Sequence, residues 1–184
     1  MPVWLDFFRR FLRDVRHIGA VLPSGRPLAR AMAAAVGAVR ADGTIVELGS
    51  GTGSITEELV RTFPENACVL IEREGAFIPA LRERFPRALV VHGNAEDAAS
   101  VLAAEGKKAA AVVSGLPMLS LPEATKKAVF SALERVLPPG GKYVQFTYGP
   151  SAWKHIVVPG FRLASSRRVW GNIPPATVLT FERV

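Results

Sequence analysis

A glycine-spaced turn fixes most of what this chain can become. Residues Glu47-Leu48-Gly49-Ser50-Gly51-Thr52-Gly53 follow directly on the apolar run Thr44-Ile45-Val46, and a helical segment, 54–63, comes straight after. Glycine stands where backbone must turn through positive φ or approach a ligand closely. A strand entering such a turn, with a helix leaving it, is the ligand-binding position of an open α/β sheet. The spacing then excludes two common phosphate sites. A dinucleotide fingerprint needs Gly-x-Gly-x-x-Gly, and Ser54 stands where its third glycine belongs. Nor does a Gly-Lys-Ser/Thr ending supply a phosphate-binding loop.

Acids mark the site instead. Glu47 leads into the glycines, and Glu72 closes the next apolar run, Cys68-Val69-Leu70-Ile71. Two carboxylates so placed suit a ligand with an amino-acid end and a ribose end but no pyrophosphate. S-adenosylmethionine is such a ligand, and a methyltransferase cofactor site is the expectation. Many α/β proteins join strands to helices by glycine turns that bind nothing; the matched acids set this one apart.

At 184 residues the chain is long enough for one full core and short for two. An apolar share of 49% excludes general disorder. The single cysteine, Cys68, falls in an expected buried strand, so neither an intrachain disulfide nor a cysteine metal site is expected. Three scattered histidines, His17, His92 and His155, give no zinc pattern, and no metal is expected. The first residues lack the apolar core and small-residue cleavage site of a secretory signal. No run reaches the roughly 18 apolar residues of a membrane-spanning helix. A cytoplasmic location is the expectation.

After Ala41, strands and helices alternate. Apolar, β-rich runs lie at 44–48, 67–72, 88–92, 109–114 and 141–148, with helical stretches at 54–63, 76–85, 95–104 and 122–137. Such alternation predicts parallel strands with helices on both faces. The tail departs from it: 161–170 and 175–183 read as strands separated by Gly171-Asn172-Ile173-Pro174-Pro175, too short for a crossover helix. They should pair antiparallel at one edge. The expected fold is α/β, a Rossmann-like class I methyltransferase with a seven-stranded, mostly parallel sheet and a C-terminal antiparallel hairpin. Residues 41–184 form that domain, and residues 1–40 a helical extension.

The extension carries a second signal. On a helical wheel, residues 3–18 place Trp4, Leu5, Phe7, Phe8, Phe11, Leu12 and Val15 within an arc of about 160°. Asp6, Arg9, Arg10, Arg13, Asp14, Arg16 and His17 fill the other side. Six arginines against two aspartates give residues 1–30 a net +4, more than half of the chain's +7. A basic amphipathic helix with Trp and Phe on its apolar face suits an anionic bilayer interface. It also suits a cap on its own domain or, given the basic balance, a nucleic-acid surface. The clustered rings favour the bilayer, with Trp4, Phe7, Phe8, Arg9, Arg10, Phe11 and Arg13 as the binding set.

Further motifs carry a family resemblance. Phe11-Leu12-Arg13-Asp14 and Gly19-Ala20-Val21-Leu22-Pro23-Ser24 resemble the opening of the small bacterial phosphatidylethanolamine N-methyltransferases. So do Ser114-Gly115-Leu116-Pro117, Gln145-Phe146-Thr147-Tyr148-Gly149-Pro150 and Trp170-Gly171-Asn172-Ile173-Pro174-Pro175-Ala176. The match runs along nearly the whole chain. It implies stepwise methylation of phosphatidylethanolamine, through mono- and dimethyl forms towards phosphatidylcholine, by a monomeric enzyme peripheral to the cytoplasmic face of the membrane. The pattern is related to that of ribosomal RNA adenine dimethyltransferases, the alternative enzyme reading. Those usually carry Asn-Leu-Pro-Tyr after the fourth strand, whose ring stacks on a flipped base. Here Ser114-Gly115-Leu116-Pro117-Met118 lacks both the asparagine and the ring, which argues against nucleic acid. A non-catalytic membrane scaffold on a methyltransferase fold is the third reading; intact glycines and acids favour the enzyme.

The resemblance also implies roles. Gly49, Ser50, Gly51 and Gly53 border the methionine part of S-adenosylmethionine, with Glu47 near its amino group. Glu72 accepts the ribose hydroxyls, as an acid ending the second strand does. Asn94 and Ala95 flank the adenine; many relatives have Asp at this position, and an amide oxygen can still accept. Ser114, Gly115, Leu116 and Pro117 line the gap between donor and acceptor. Ser24 and Arg73 complete the cofactor set. Tyr148 is the catalytic candidate, orienting the amine or facing the growing methylammonium, against a plain packing role. Arg167 and Arg168 are candidates for the lipid phosphate. No His-carboxylate dyad stands ready to take the amine's proton.

Overall fold

The computed structural model describes residues 25–148, 154 and 156–184. The amphipathic segment 3–18, with Trp4, Phe7, Phe8, Arg9, Arg10, Phe11 and Arg13, lies outside the described residues, as does Ser24.

The apolar runs become strands: β1 (Thr44–Leu48), β2 (Ala67–Glu72), β3 (Leu89–His92), β4 (Ala109–Ser114) and β5 (Lys142–Tyr148). The central ones, β1, β2 and β4, are buried on both faces, as a parallel sheet covered by helices requires. β6 (Phe161–Val169) and β7 (Ala176–Arg183) complete a seven-stranded sheet of order β3-β2-β1-β4-β5-β7-β6. β1 to β5 run parallel, and β7 lies antiparallel between β5 and β6. The expected hairpin is therefore present, with β7 and not β6 beside the parallel strands.

Five α-helices occupy the described residues: α1 (Arg26–Val36), α2 (Ser54–Thr62), α3 (Ile78–Arg84), α4 (Ala98–Ala104) and α5 (Glu123–Val136). The stretches at 76–85 and 95–104 each begin as a single 3-10 turn, Gly75–Phe77 and Ala95–Asp97, before the α-helix. α5 has Glu123 in its first turn and Arg135 in its last, both favourable to the helix dipole.

Helices cover both faces. On one, Leu28 and Met32 of α1, Leu59 of α2 and Leu81 of α3 pack with Ile45, Leu70, Val113, Val144 and Val178 of the sheet. On the other, Leu102 of α4 and Leu133 of α5 pack with Val46, Ile71, Val112, Tyr143 and Phe181. α1 falls within the expected helical extension, residues 1–40, at bounds the sequence does not mark, and it packs on the sheet as part of the domain. Leu28, Met32 and Val36 recur at every fourth position with Ala29 and Ala33 beside them and are buried, while Arg26 and Arg30 are exposed.

The topology fixes where a ligand can go. Strand order reverses at β1, whose neighbours β2 and β4 leave their connecting chains on opposite faces. The crevice at the carboxyl ends of β1 and β4 is the binding position of such sheets. Register brings Leu48, Ile71 and Ser114 level there, with Gln145 beside Ser114.

Candidate active site

The glycine turn is shaped by left-handed backbone. Gly49, Gly51 and Gly53 have φ of +74°, +53° and +81°. A Cβ on Gly51 meets nothing within 4 Å, so its face of the turn is open to a ligand. The turn is held on both sides. The Gly49 N–H donates to the Ile71 carbonyl (2.8 Å), and Gly53 closes back on the Ser50 carbonyl (2.8 Å). From outside, Arg84 donates to the Thr52 carbonyl (2.7 Å) and to Glu57 (2.9 Å).

Glu72 is the clasp between β2 and this turn. Its Oε2 accepts the Gly51 N–H at 2.8 Å and its Oε1 the Glu74 N–H at 2.7 Å. Each carboxylate oxygen has a second lone pair, so acceptor capacity remains for a ligand hydroxyl. Arg73, next along, is exposed.

Glu47 lies beneath the turn, 1% exposed on a wholly buried strand. The Thr56 hydroxyl donates to its Oε2 at 2.5 Å. Its Oε1 and the buried Ser50 hydroxyl have no partner among the described residues. Burial pushes its carboxyl up to about 7; the Thr56 hydroxyl opposes the rise, the nearby Glu72 charge adds to it, and the Ser50 hydroxyl, close by though outside hydrogen-bond geometry, opposes it weakly. A buried acceptor with an empty valence, beside an open glycine turn, is what a ligand's ammonium group would satisfy.

Past β3, Asn94 and Ala95 open the next turn. Asp97 Oδ2 accepts the Asn94 backbone N–H at 3.1 Å and lies 3.5 Å from its side-chain Nδ2. Asn94 is exposed at the carboxyl end of the strand, two residues beyond His92, which pairs with Glu72 in the ladder.

Beyond β4 the chain presses on the glycine turn. The Gly115 N–H donates to the Leu48 carbonyl (2.8 Å), and a Cβ on Gly115 would lie 2.6 Å from the Gly49 carbonyl oxygen. No other residue fits there without moving backbone. Ser114 is fully buried, and its hydroxyl accepts the Leu116 N–H at 3.2 Å. Gln145 then fixes the segment from β5. Its Nε2 donates to the carbonyls of Leu116 (2.9 Å) and Phe146 (2.7 Å), while its Oε1 accepts the Tyr143 hydroxyl (2.7 Å).

Next to Leu116 opens a shallow cleft, continuous with solvent. Leu116, Pro117, Met118, Phe146, Tyr148 and Ile156 line most of it. Tyr148 ends β5 half-buried, its ring edge-on to Phe146 at 5.4 Å. Burial raises its phenol above the ordinary value, with the Asn172 amide opposing, so the hydroxyl stays protonated through neutral pH. Asn172 is itself 3% exposed: Oδ1 accepts the Gly25 N–H (2.8 Å) and Nδ2 donates to the Pro174 carbonyl (2.7 Å).

The structure thus gathers Glu47, Gly49, Ser50, Gly51, Gly53, Glu72, Ser114, Gly115 and Leu116 around one crevice, with Tyr148 at the adjoining cleft. Gln145 and Asn172 are the polar residues whose roles the sequence reading missed. No cluster of metal-ligating side chains occurs among the described residues.

This arrangement defines a class I methyltransferase fold, and comparisons with known proteins agree. The family described as "Methyltransferase domain" matches residues 45–141. The ornithine lipid N-methyltransferase of Singulisphaera acidiphila is 31% identical over 175 residues, covering 92% of this chain and 91% of that protein. Among solved structures, Burkholderia thailandensis 1,6-didemethyltoxoflavin-N1-methyltransferase, with S-adenosylhomocysteine bound, superposes with a TM-score of 0.68 at 14% identity, covering 97% of this chain and 86% of that one. The glycopeptide N-methyltransferase MtfA gives 0.67 at 16% identity, covering 88% and 97%. TrmN from Thermus thermophilus gives 0.67 at 21% identity over 96% of this chain, which spans about half (53%) of that protein. The chain belongs to the S-adenosylmethionine-dependent methyltransferase family. The orphaned Glu47 Oε1 and the open face at Gly51 fit that cofactor.

Proposed function

We propose that this methyltransferase acts on the headgroup amine of a membrane lipid: phosphatidylethanolamine and its mono- and dimethyl derivatives, towards phosphatidylcholine. The observation that carries the reading is the similarity, over nine-tenths of both chains, to a relative named as a lipid N-methyltransferase. The apolar cleft beside Leu116 and Tyr148 accords with an acceptor that is amphiphilic and not a nucleobase. The relative's name favours ornithine lipid as the second acceptor to try.

Bound S-adenosylmethionine supplies an electrophilic methyl group on a sulfonium centre. Everything else falls to the chain. Glu47, the glycine turn and Glu72 hold the donor's amino-acid and ribose ends, with Asn94 and Ala95 at the adenine. Ser114 to Pro117, locked by Gln145, form a rigid wall between donor and acceptor. A neutral amine must attack in line with the leaving sulfur, so positioning provides much of the rate. The cleft is lined mainly by apolar side chains and stays open to solvent. The amine sheds its proton to solvent before attack, and the Tyr148 hydroxyl, protonated throughout, orients it.

In this reading residues 3–18 lie in an anionic bilayer interface on the cytoplasmic side, and the protein works as a monomer. The test is transfer of radiolabel from S-adenosylmethionine to phosphatidylethanolamine vesicles containing anionic lipid, to ornithine lipid vesicles, and to ribosomal RNA. Label in methylated ethanolamine headgroups, lost on deleting residues 1–18, is the expected result. Label only in ornithine lipid moves the acceptor; label only in RNA overturns the lipid reading.

A further inference from the structure

The turn joining β6 to β7 presents two large apolar side chains to water. Trp170 is 74% exposed and Ile173 is 94% exposed. Their exposure is built in. Between them Asn172 is buried and bonded both to the Gly25 amide and to the Pro174 carbonyl, which fixes the turn against the start of α1. The topology also decides which way the turn faces. Tyr148 pairs with Ala176, and Val169 pairs with Ala176 from the other side, so residues 170–175 stand at the end of the sheet that holds the acceptor cleft. Cations stand directly behind. Arg167 is exposed, and the Arg168 guanidinium lies 5.4 Å from the Trp170 ring centroid while bonding the Thr177 hydroxyl at 3.0 Å.

We propose that this turn is a membrane-insertion point, with Trp170 and Ile173 entering the boundary between headgroups and acyl chains of an anionic bilayer beside the mouth of the acceptor cleft. Tryptophan favours that boundary because its ring is apolar and its N–H polar. Exposed apolar groups on a braced turn gain from leaving water, and the two arginines gain from the anionic surface. The positive balance of the chain, +7, complements that partner. Contact here orients the cleft towards the lipid surface and supplies a second attachment besides the basic segment 3–18. The inference deepens the lipid reading and rests on it.

Vesicles of phosphatidylglycerol and phosphatidylcholine, which offer no amine to methylate, separate insertion from catalysis. In the full chain carrying Trp4→Phe and Trp153→Phe, Trp170 is the only tryptophan. Its emission should shift to the blue on adding vesicles and be quenched by lipids brominated at shallow acyl positions. Ile173→Cys carrying an environment-sensitive label reads the same turn with all tryptophans kept, because Cys68 is buried. Replacing Trp170 and Ile173 together by Ser should lower vesicle partitioning about tenfold. Unchanged Trp170 emission and label signal in protein that floats with vesicles, or no vesicle binding at all, overturns the proposal. So does a blue shift that tracks protein concentration without lipid, which assigns the turn to contact between copies. Insertion without methyl transfer to any lipid leaves the turn's role standing and removes the acceptor assignment.

Discussion

The Gly51 amide donates to Glu72 Oε2 at 2.8 Å, so the end of β2 grips the middle of the glycine turn. The other oxygen takes the Glu74 amide, and one carboxylate thereby sets the shape of two adjoining segments. Glu72→Ala strips acceptors from both amides and removes the acid proposed to accept the ribose hydroxyls. Calorimetry with S-adenosylhomocysteine should show the Kd rise at least about tenfold. Glu72→Gln keeps one acceptor oxygen and should fall between. Near-normal affinity in the alanine variant would remove Glu72 from the cofactor site.

Glu47 couples the same site to pH. Its folded carboxyl titrates near 7 because it is buried, against an ordinary value of 4.5. A raised acid binds its proton more tightly when folded, so its contribution is fully present below about 4.5 and is lost as pH rises through 7. The cofactor-free protein should therefore lose stability between pH 5 and 8, by on the order of 3 kcal/mol from this group. Glu47→Gln should flatten that dependence in urea unfolding at the two pH values. Seating an ammonium beside the carboxyl favours its charged form. Binding S-adenosylhomocysteine near pH 6 should then release protons, visible as a heat that varies with the ionisation enthalpy of the buffer. A heat independent of buffer would place the amino group elsewhere.

Gln145 is the tie between β5 and the wall of the acceptor cleft. Gln145→Leu leaves the Leu116 and Phe146 carbonyls and the Tyr143 hydroxyl without this partner in a buried setting. Stability should fall by about 1–3 kcal/mol in denaturant titration. The kcat should fall further than Tyr143→Phe lowers it, with cofactor affinity largely kept, because the glycine turn is held independently by Glu72. Loss of cofactor binding as large as the loss of kcat would mean that the 114–117 segment chiefly supports the donor.

What the sequence made legible follows from how local each signal is. The glycine turn, Glu47 and Glu72 stand at the ends of apolar runs, so one periodicity argument places strand, turn and acid together. The hairpin is equally local, because Gly171 to Pro175 leaves no room for a crossover. A helical extension over residues 1–40 was expected, but only the sheet contacts of Leu28, Met32 and Val36 show that 26–36 belongs to the domain core. Gln145 and Asn172 escaped for another reason. Gln145 acts on Leu116, 29 residues away, and Asn172 acts on Gly25, 147 residues away. No pattern within a segment reports such a bond; only the strand order that brings β4 beside β5, and the β6–β7 turn beside α1, does so.

Tyr148 offers the sharpest test of the reacting geometry. It ends β5 at the cleft, with its ring edge-on to Phe146 and its phenol raised above the ordinary value by burial. A neutral phenol can orient an amine but cannot be the base that deprotonates it at pH 7. Tyr148→Phe should therefore leave the limbs of the pH–rate profile where they are and lower kcat for the unmethylated lipid by about tenfold, the worth of one positioning hydrogen bond. The retained ring should still face the cationic product, so later methylations should suffer less. Tyr148→Leu removes the ring and should slow the later steps as well. Cofactor affinity should be unchanged in both variants, which separates a role at the acceptor from a general loosening of the fold. If Tyr148→Phe runs every step at the wild-type rate, the hydroxyl has no part in orienting the amine, and the ring alone shapes the cleft.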